Sequence, residues 1–99
     1  MKRQEYLDHL RGQGCTLCRL IAPWHPPNTQ EIQIHHPRFA AGAGEKASDW
    51  LAIPLCRSCH LGANGIHGNR AFLEIAKTDE AGLLAATIER YHKTEENSR

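Results

Sequence analysis

The chain has 99 residues, with 12 Lys and Arg against 11 Asp and Glu and a formal net charge of +1. That length suits one domain with a modest core, so a staple such as a metal ion or a disulfide is expected. The charge balance excludes wholesale electrostatic capture of nucleic acid, and no apolar run reaches the roughly 20 residues of a membrane-spanning helix.

The start, MKRQEYLDHL, is basic but lacks an apolar stretch, so no signal peptide is expected and the cytoplasm is the default location. Residues 3–11 have helical spacing, with Tyr6, Leu7 and Leu10 on one face and Gly12 and Gly14 as terminators. Cys15-Thr16-Leu17-Cys18 follows as a tight knuckle. Residues 22–30, with Pro23, Pro26 and Pro27, read as loop, because proline removes donors and fixes φ. Glu31 to His36 alternates as a strand, Ile32 and Ile34 facing one way, Gln33 and His35 the other. Pro37 to Ser48 is a flexible connection rich in Gly and Ala. Trp50 to Leu55 suits a second strand, with Pro54 confining it to an edge. Cys56 to Leu61 starts a short helix that the glycines of residues 62–68 break.

Asn69 is placed to cap a helix running to Lys77, with Phe72, Ile75 and Ala76 inward. Thr78, followed by Asp79 and Glu80, caps a last helix whose buried stripe is Leu84, Ile88 and Tyr91. Beyond Lys93 a polar, frayed tail is expected. There are no repeats and no linker. The chain reads as one α+β domain over residues 1–99, with an N-terminal helix and a C-terminal helical extension over about 69–93.

Two Cys-x-x-Cys pairs, Cys15/Cys18 and Cys56/Cys59, lie 37 residues apart. A two-residue spacer lets both sulfurs of a pair face one ion, and four thiolates suit tetrahedral zinc. In a reducing compartment this is favoured over two disulfides or buried free thiols. Four sulfurs leave no position for water, so the expected zinc is structural. Of seven histidines, His35 and His36 end the first strand, His60 follows Cys59, and His67 sits in a loop able to fold back toward His60. These four are candidates for a second site. His25 is expected in a loop, and His9 and His92 on solvated helix faces.

The segments Cys15-x2-Cys18, Ile34-His35-His36-Pro37 and Pro54-Leu55-Cys56-Arg57-Ser58-Cys59-His60 together resemble the HNH nucleases, the ββα-metal family, over roughly residues 15–68. The double histidine, the loop with Lys46 and Asp49, and Gly65-Ile66-His67-Gly68 look most like the phage-encoded Ref-type nucleases. Those are recombination-linked enzymes that depend on RecA filaments. The resemblance implies a β-hairpin and helix gripping one catalytic divalent cation. It implies His35, His60 and His67 as ligands and His36 as general base. It also implies DNA as substrate and a RecA–DNA filament as partner. Where the family carries asparagine, five residues before the third cysteine, this chain has Leu51, and Asp49 is the expected substitute.

In such chemistry a histidine with a pKa near ~6.5 takes a proton from water and a cation neutralises charge on the phosphate. The ion could be Mg2+, Mn2+, Zn2+, Co2+ or Ni2+, imidazole favouring the later metals. Arg38, Lys46, Arg57 and Arg70 are candidate phosphate contacts, which position DNA without reading its sequence. Two other functions stand beside the nuclease. One is a non-catalytic zinc-knuckle module that binds nucleic acid or protein. The other is an adaptor with incidental histidines. A second metal site built from histidines separates the nuclease from both.

Overall fold

Residues 2–37 and 48–97 are described in a computed structural model of the chain, with side chains through residue 94. Arg38 and Lys46 lie outside the described residues, as does most of the Gly- and Ala-rich connection.

Helix α1 spans Arg3–Gln13 and buries Tyr6 and Leu10, with Leu7 packed beside them. Gly12 lies inside the helix. Gly14 ends it, with a φ of 88° that a side chain would strain. A Cβ at Gly14 would also press on Pro27 and on the Asn28 carbonyl. The neighbouring Cys15 N–H donates to that carbonyl at 3.0 Å. The proline-rich segment therefore docks where α1 turns into α2.

Helix α2, Thr16–Ile21, replaces the bare knuckle expected there, with Cys15 as its N-cap. Cys15 Sγ accepts from the Cys18 N–H at 3.4 Å, so metal-ligand spacing and helix capping are the same geometry. Leu17 is fully buried. Behind it the Thr16 and Thr87 hydroxyls meet at 2.9 Å. Thr87 already donates to the Leu83 carbonyl, so Thr16 is the donor of the pair.

Both strands are shorter than their sequence patterns. Strand β1 is Gln33–His35 and β2 is Ile53–Leu55. They pair antiparallel with Gln33 opposite Leu55, Ile34 opposite Pro54 and His35 opposite Ile53. A two-stranded ladder leaves one side of each strand unpartnered, which tolerates the missing N–H of Pro54. Trp50 and Leu51, expected as strand, instead join Asp49 in a 3₁₀ turn, Asp49–Leu51, started by the Ser48 hydroxyl accepting from the Trp50 N–H at 3.2 Å. Ile32 and Ile34 do not share one environment. Ile32 packs with the larger core, and Ile34 with Tyr6, Leu10 and Ala52.

Helix α3 is the single turn Arg57–His60. The chain then folds back along it. The Ile66 N–H donates to the Cys59 carbonyl at 2.9 Å and the His67 N–H to the His60 carbonyl at 3.2 Å. Gly65 permits the approach: a Cβ there would lie 2.5 Å from the Cys59 carbonyl oxygen. Helix α4, Ala71–Ala76, begins after Arg70, which adopts a left-handed φ of 65°. Asn69 still serves, accepting from the Ala71 N–H at 3.0 Å. The late start rotates the buried arc onto Phe72, Leu73 and Ala76, and Ile75, expected inward, is 61% exposed.

Helix α5 runs Glu80–Asn97, beyond the frayed tail expected after Lys93. Its first turn is capped by Asp79 rather than Thr78, the carboxylate accepting from the Gly82 N–H at 2.8 Å. It buries Leu83 and Thr87 as well as Leu84, with Ile88 against the larger core and Tyr91 against the smaller. Among the described residues no helix is long and apolar enough to cross a membrane. The result is a small α+β fold with a two-stranded sheet, and the four cysteines lie together within it.

Gly65→Ala should cost about 1–3 kcal/mol, the scale of forced overpacking. Gly12→Ala, where a Cβ meets nothing within 4 Å, should be neutral or stabilising by about 0.5–1 kcal/mol inside a helix. Urea unfolding of the two variants checks the contrast, and equal midpoints would contradict it.

Candidate metal centre

Cys15 and Cys56 stand at the N-cap positions of α2 and α3, Cys15 alone accepting a capping hydrogen bond, and Cys18 and Cys59 lie three residues on. Packing of Leu17, Ile53 and Leu55 brings the two turns together, with Cys15, Cys56 and Cys59 buried among them. Cys18 Sγ lies 3.8 Å from both Cys56 Sγ and Cys59 Sγ. Four thiolates bound tetrahedrally at about 2.3 Å have sulfurs roughly 3.8 Å apart. A disulfide would need about 2.05 Å. One ligand atom from each cysteine falls within 4.8 Å of all the others, and the cluster could hold a structural metal.

Electrostatics favours an ion there. Hydrogen bonds from Cys15 and then Cys59 lower the Cys18 thiol to about 4, so it is a thiolate at neutral pH. The sulfur contacts that favour it work against its neighbours. The Cys18 interaction is the main cause raising Cys15, and the Cys15 and Cys18 contacts raise Cys59. Charge on one sulfur suppresses charge on the rest, and a bound cation removes that conflict.

A second group lies at the open end of β1. His35, His60 and His67 each offer a ring nitrogen, all within 4.8 Å of one another, and could hold a metal ion. His35 comes from β1 and is buried. His60 comes from α3 and His67 from the returning loop, the backbone bond between them holding their rings 4.7 Å apart. Nε2 of His60 and Nε2 of His67 are 3.1 Å apart.

Neighbours fix which nitrogen each ring presents. His35 Nε2 lies 3.2 Å from Glu80 Oε2. A carboxylate only accepts, so Nε2 carries the proton and Nδ1 holds the lone pair. His60 Nδ1 donates to the Gln33 side-chain carbonyl at 2.7 Å, leaving Nε2 as its lone pair. A partner on the far nitrogen is the usual support of a metal-binding imidazole. Glu80 is itself held by Arg70, at 3.0 Å through its other oxygen. Burial, then the charges of His35 and His67, lowers His60 to about 4. Burial is also the main cause lowering His35, partly offset by Glu80. Both rings are therefore neutral, ligand-ready bases at pH 7.

His36, the next residue in the chain, is half-buried and points elsewhere. Its Nε2 lies 2.6 Å from Asp49 Oδ1. The same logic puts the proton on Nε2 and leaves Nδ1 free to accept one. Asp49 Oδ2 in turn meets Arg3 Nε at 3.1 Å. The 3₁₀ turn thus presents Asp49, not Leu51, to the histidine.

Of the four residues expected to contact phosphate, Arg57 is exposed and Arg70 is paired with Glu80. His25 is an exposed loop residue whose Nδ1 donates to the Pro26 carbonyl at 2.8 Å. His9 departs from expectation. It packs edge-on to Tyr91 at 5.1 Å, and its Nε2 is buried. Sequence reasoning missed Gln33 and Glu80 as partners of the imidazoles. Gln33 had a signal, since it shares a strand face with His35 at i and i+2. Glu80, 45 residues from His35, had none. A larger cleft of about 700 Å³ opens beside Cys18, Cys56 and Cys59, and none of the three imidazoles lines it.

Compared with protein-family models, with curated proteins and with solved structures, the chain matches none.

Two outcomes are expected. Cys56→Ser should release bound metal and remove most of the domain's stability, because ligand binding energy in a small domain is folding energy. A variant that melts like wild type contradicts this. The second concerns pH. An unfolded histidine titrates near ~6.5, whereas folded His60 titrates at about 4. Between those values the unfolded chain binds the extra proton, so the contribution of neutral His60 is full above ~6.5 and declines as pH falls toward 4. Without added metal, wild type should lose more stability over that window than His60→Gln. Parallel pH curves would contradict it.

Proposed function

We propose that the chain is a metal-dependent endonuclease of the HNH type that hydrolyses DNA phosphodiester bonds, with a structural zinc on Cys15, Cys18, Cys56 and Cys59. The observation that carries this is the 2.6 Å contact of Asp49 with His36, the residue that follows His35 of the three convergent imidazoles. A structural zinc module needs neither a third histidine nor a carboxylate-oriented fourth one.

The donor set fits a second ion. His35, His60 and His67 would hold it, each of the first two braced on its far nitrogen by Glu80 or Gln33. When bound, a divalent cation there would neutralise charge on the scissile phosphate and stabilise the leaving oxygen. His36 supplies the base. Its Nδ1 lone pair accepts a proton from water as the oxygen attacks phosphorus. The resulting imidazolium is stabilised by Asp49, which also keeps the ring in the productive tautomer. Asp49 thereby takes the bracing role for which the HNH family uses asparagine. The products expected of this chemistry carry a 5′-phosphate and a 3′-hydroxyl.

A plasmid-nicking assay with metals titrated, on bare and on RecA-coated DNA, tests the proposal. His36→Ala should fold and bind metal as wild type does, and should lose roughly 10²–10⁴-fold in rate, the usual contribution of a general base. Equal nicking by both proteins removes His36 from that role. No nicking by wild type with any metal or DNA form would leave a binding module.

A further inference from the structure

A second polar cluster shares no residue with either candidate metal centre. The C-terminal end of α1, the helix α2 and the last turns of α5 enclose a cleft of about 380 Å³. It is lined by His9, Gly12, Gln13, Arg19, Arg90 and Thr94. None of these residues is acidic. Among the described residues, neither Arg19 nor Arg90 has a carboxylate partner, although the fold forms ion pairs at Arg3, Arg11, Arg70 and Lys93.

The donors in this cleft outnumber their acceptors. Arg19 spends one N–H on the Gln13 backbone carbonyl at 2.6 Å. A guanidinium has five. His9 Nε2 and Gln13 Nε2 are both buried without a hydrogen-bond partner. A buried polar nitrogen without a partner is unfavourable, and two beside a pair of like charges form an arrangement that an anion would relieve.

We infer that this cleft is a phosphate-binding site, with Arg19 and Arg90 carrying the charge and His9 Nε2 and Gln13 Nε2 the directed donors. A tetrahedral oxyanion has acceptors on every side, and planar guanidinium forks match two of its oxygens at once. The terminal torsions of His and Gln are broad, so both N–H groups can turn to the ligand. The inference does not rest on the nuclease proposal. It concerns the far half of α5: Arg90 is ten residues, about 15 Å of helix axis, from Glu80 in the imidazole cluster.

The phosphate could be free or part of a nucleic-acid backbone, and the test separates these sources. Inorganic phosphate, and separately an oligonucleotide lacking terminal phosphates, are titrated into 15N-labelled protein against chloride at equal ionic strength. The His9 ring and Gln13 side-chain amide resonances are followed. Saturable shifts with inorganic phosphate alone support the site and assign it to free phosphate. Shifts with the oligonucleotide, with or without phosphate, support the site and assign it to the backbone. Arg90→Gln, an exposed position that leaves the core untouched, should weaken binding at least about tenfold, the scale of one charge-assisted hydrogen bond. Arg90→Lys should recover part of the loss. Absence of saturable shifts with either ligand, or equal affinity of Arg90→Gln and wild type, would overturn the inference.

Discussion

The convergence of four sulfur atoms from two helix starts is the constraint on which the rest of the structure depends. With two three-residue strands and helices mostly of one or two turns among the described residues, local hydrogen bonding alone would not hold the fold. The cysteines tie α2 to α3 at the centre of the larger apolar cluster, where Leu17, Ile53, Leu55 and Leu83 are fully buried. Each pair also spans a helix start, and at Cys15 and Cys18 metal spacing and backbone hydrogen bonding reinforce each other. Because Cys59 precedes His60, the cluster also sets the position of the first imidazole. The bond from the His67 N–H to the His60 carbonyl then sets the second.

Around the imidazoles, acceptors that cannot donate decide which nitrogen is available. Glu80 and Gln33 each hold a proton on the far side of a ring, and Asp49 does the same for His36. His35 and His36 are adjacent, yet strand alternation sends one to the cluster and the other to the aspartate. Two neighbouring histidines thereby acquire different surroundings, His35 among imidazoles and Glu80, His36 against Asp49. Arg70 is part of this support, since its guanidinium anchors Glu80 from a left-handed backbone position.

The near-zero net charge conceals an uneven distribution. Arg3 and Arg70 are neutralised by Asp49 and Glu80 in contacts that shape the histidine site. Arg19 and Arg90 are left without such partners among the described residues, and share one cleft. Charge is thus spent on positioning at one end of α5 and left unspent at the other.

The sequence by itself determined the thiolate set, the candidate imidazoles, and the apolar faces of α1 and α5. These follow from spacing within short segments, where helix and strand periods translate directly into geometry. The same local logic misjudged α4, because a single left-handed residue, Arg70, shifted its start and turned Ile75 outward. It also read Trp50 and Leu51 as strand, where a serine cap makes a 3₁₀ turn over Asp49–Leu51. What only the tertiary structure decided is which side chains come together across distance: Glu80 with His35 and Gln33 with His60 in hydrogen bonds, and Arg90 and Arg19 along one cleft. Those pairings depend on the return of the chain at Gly65 and on the packing of α5 across the sheet and α2. No period in the sequence encodes them, because a contact between residues dozens of positions apart is set by the fold that closes the intervening chain.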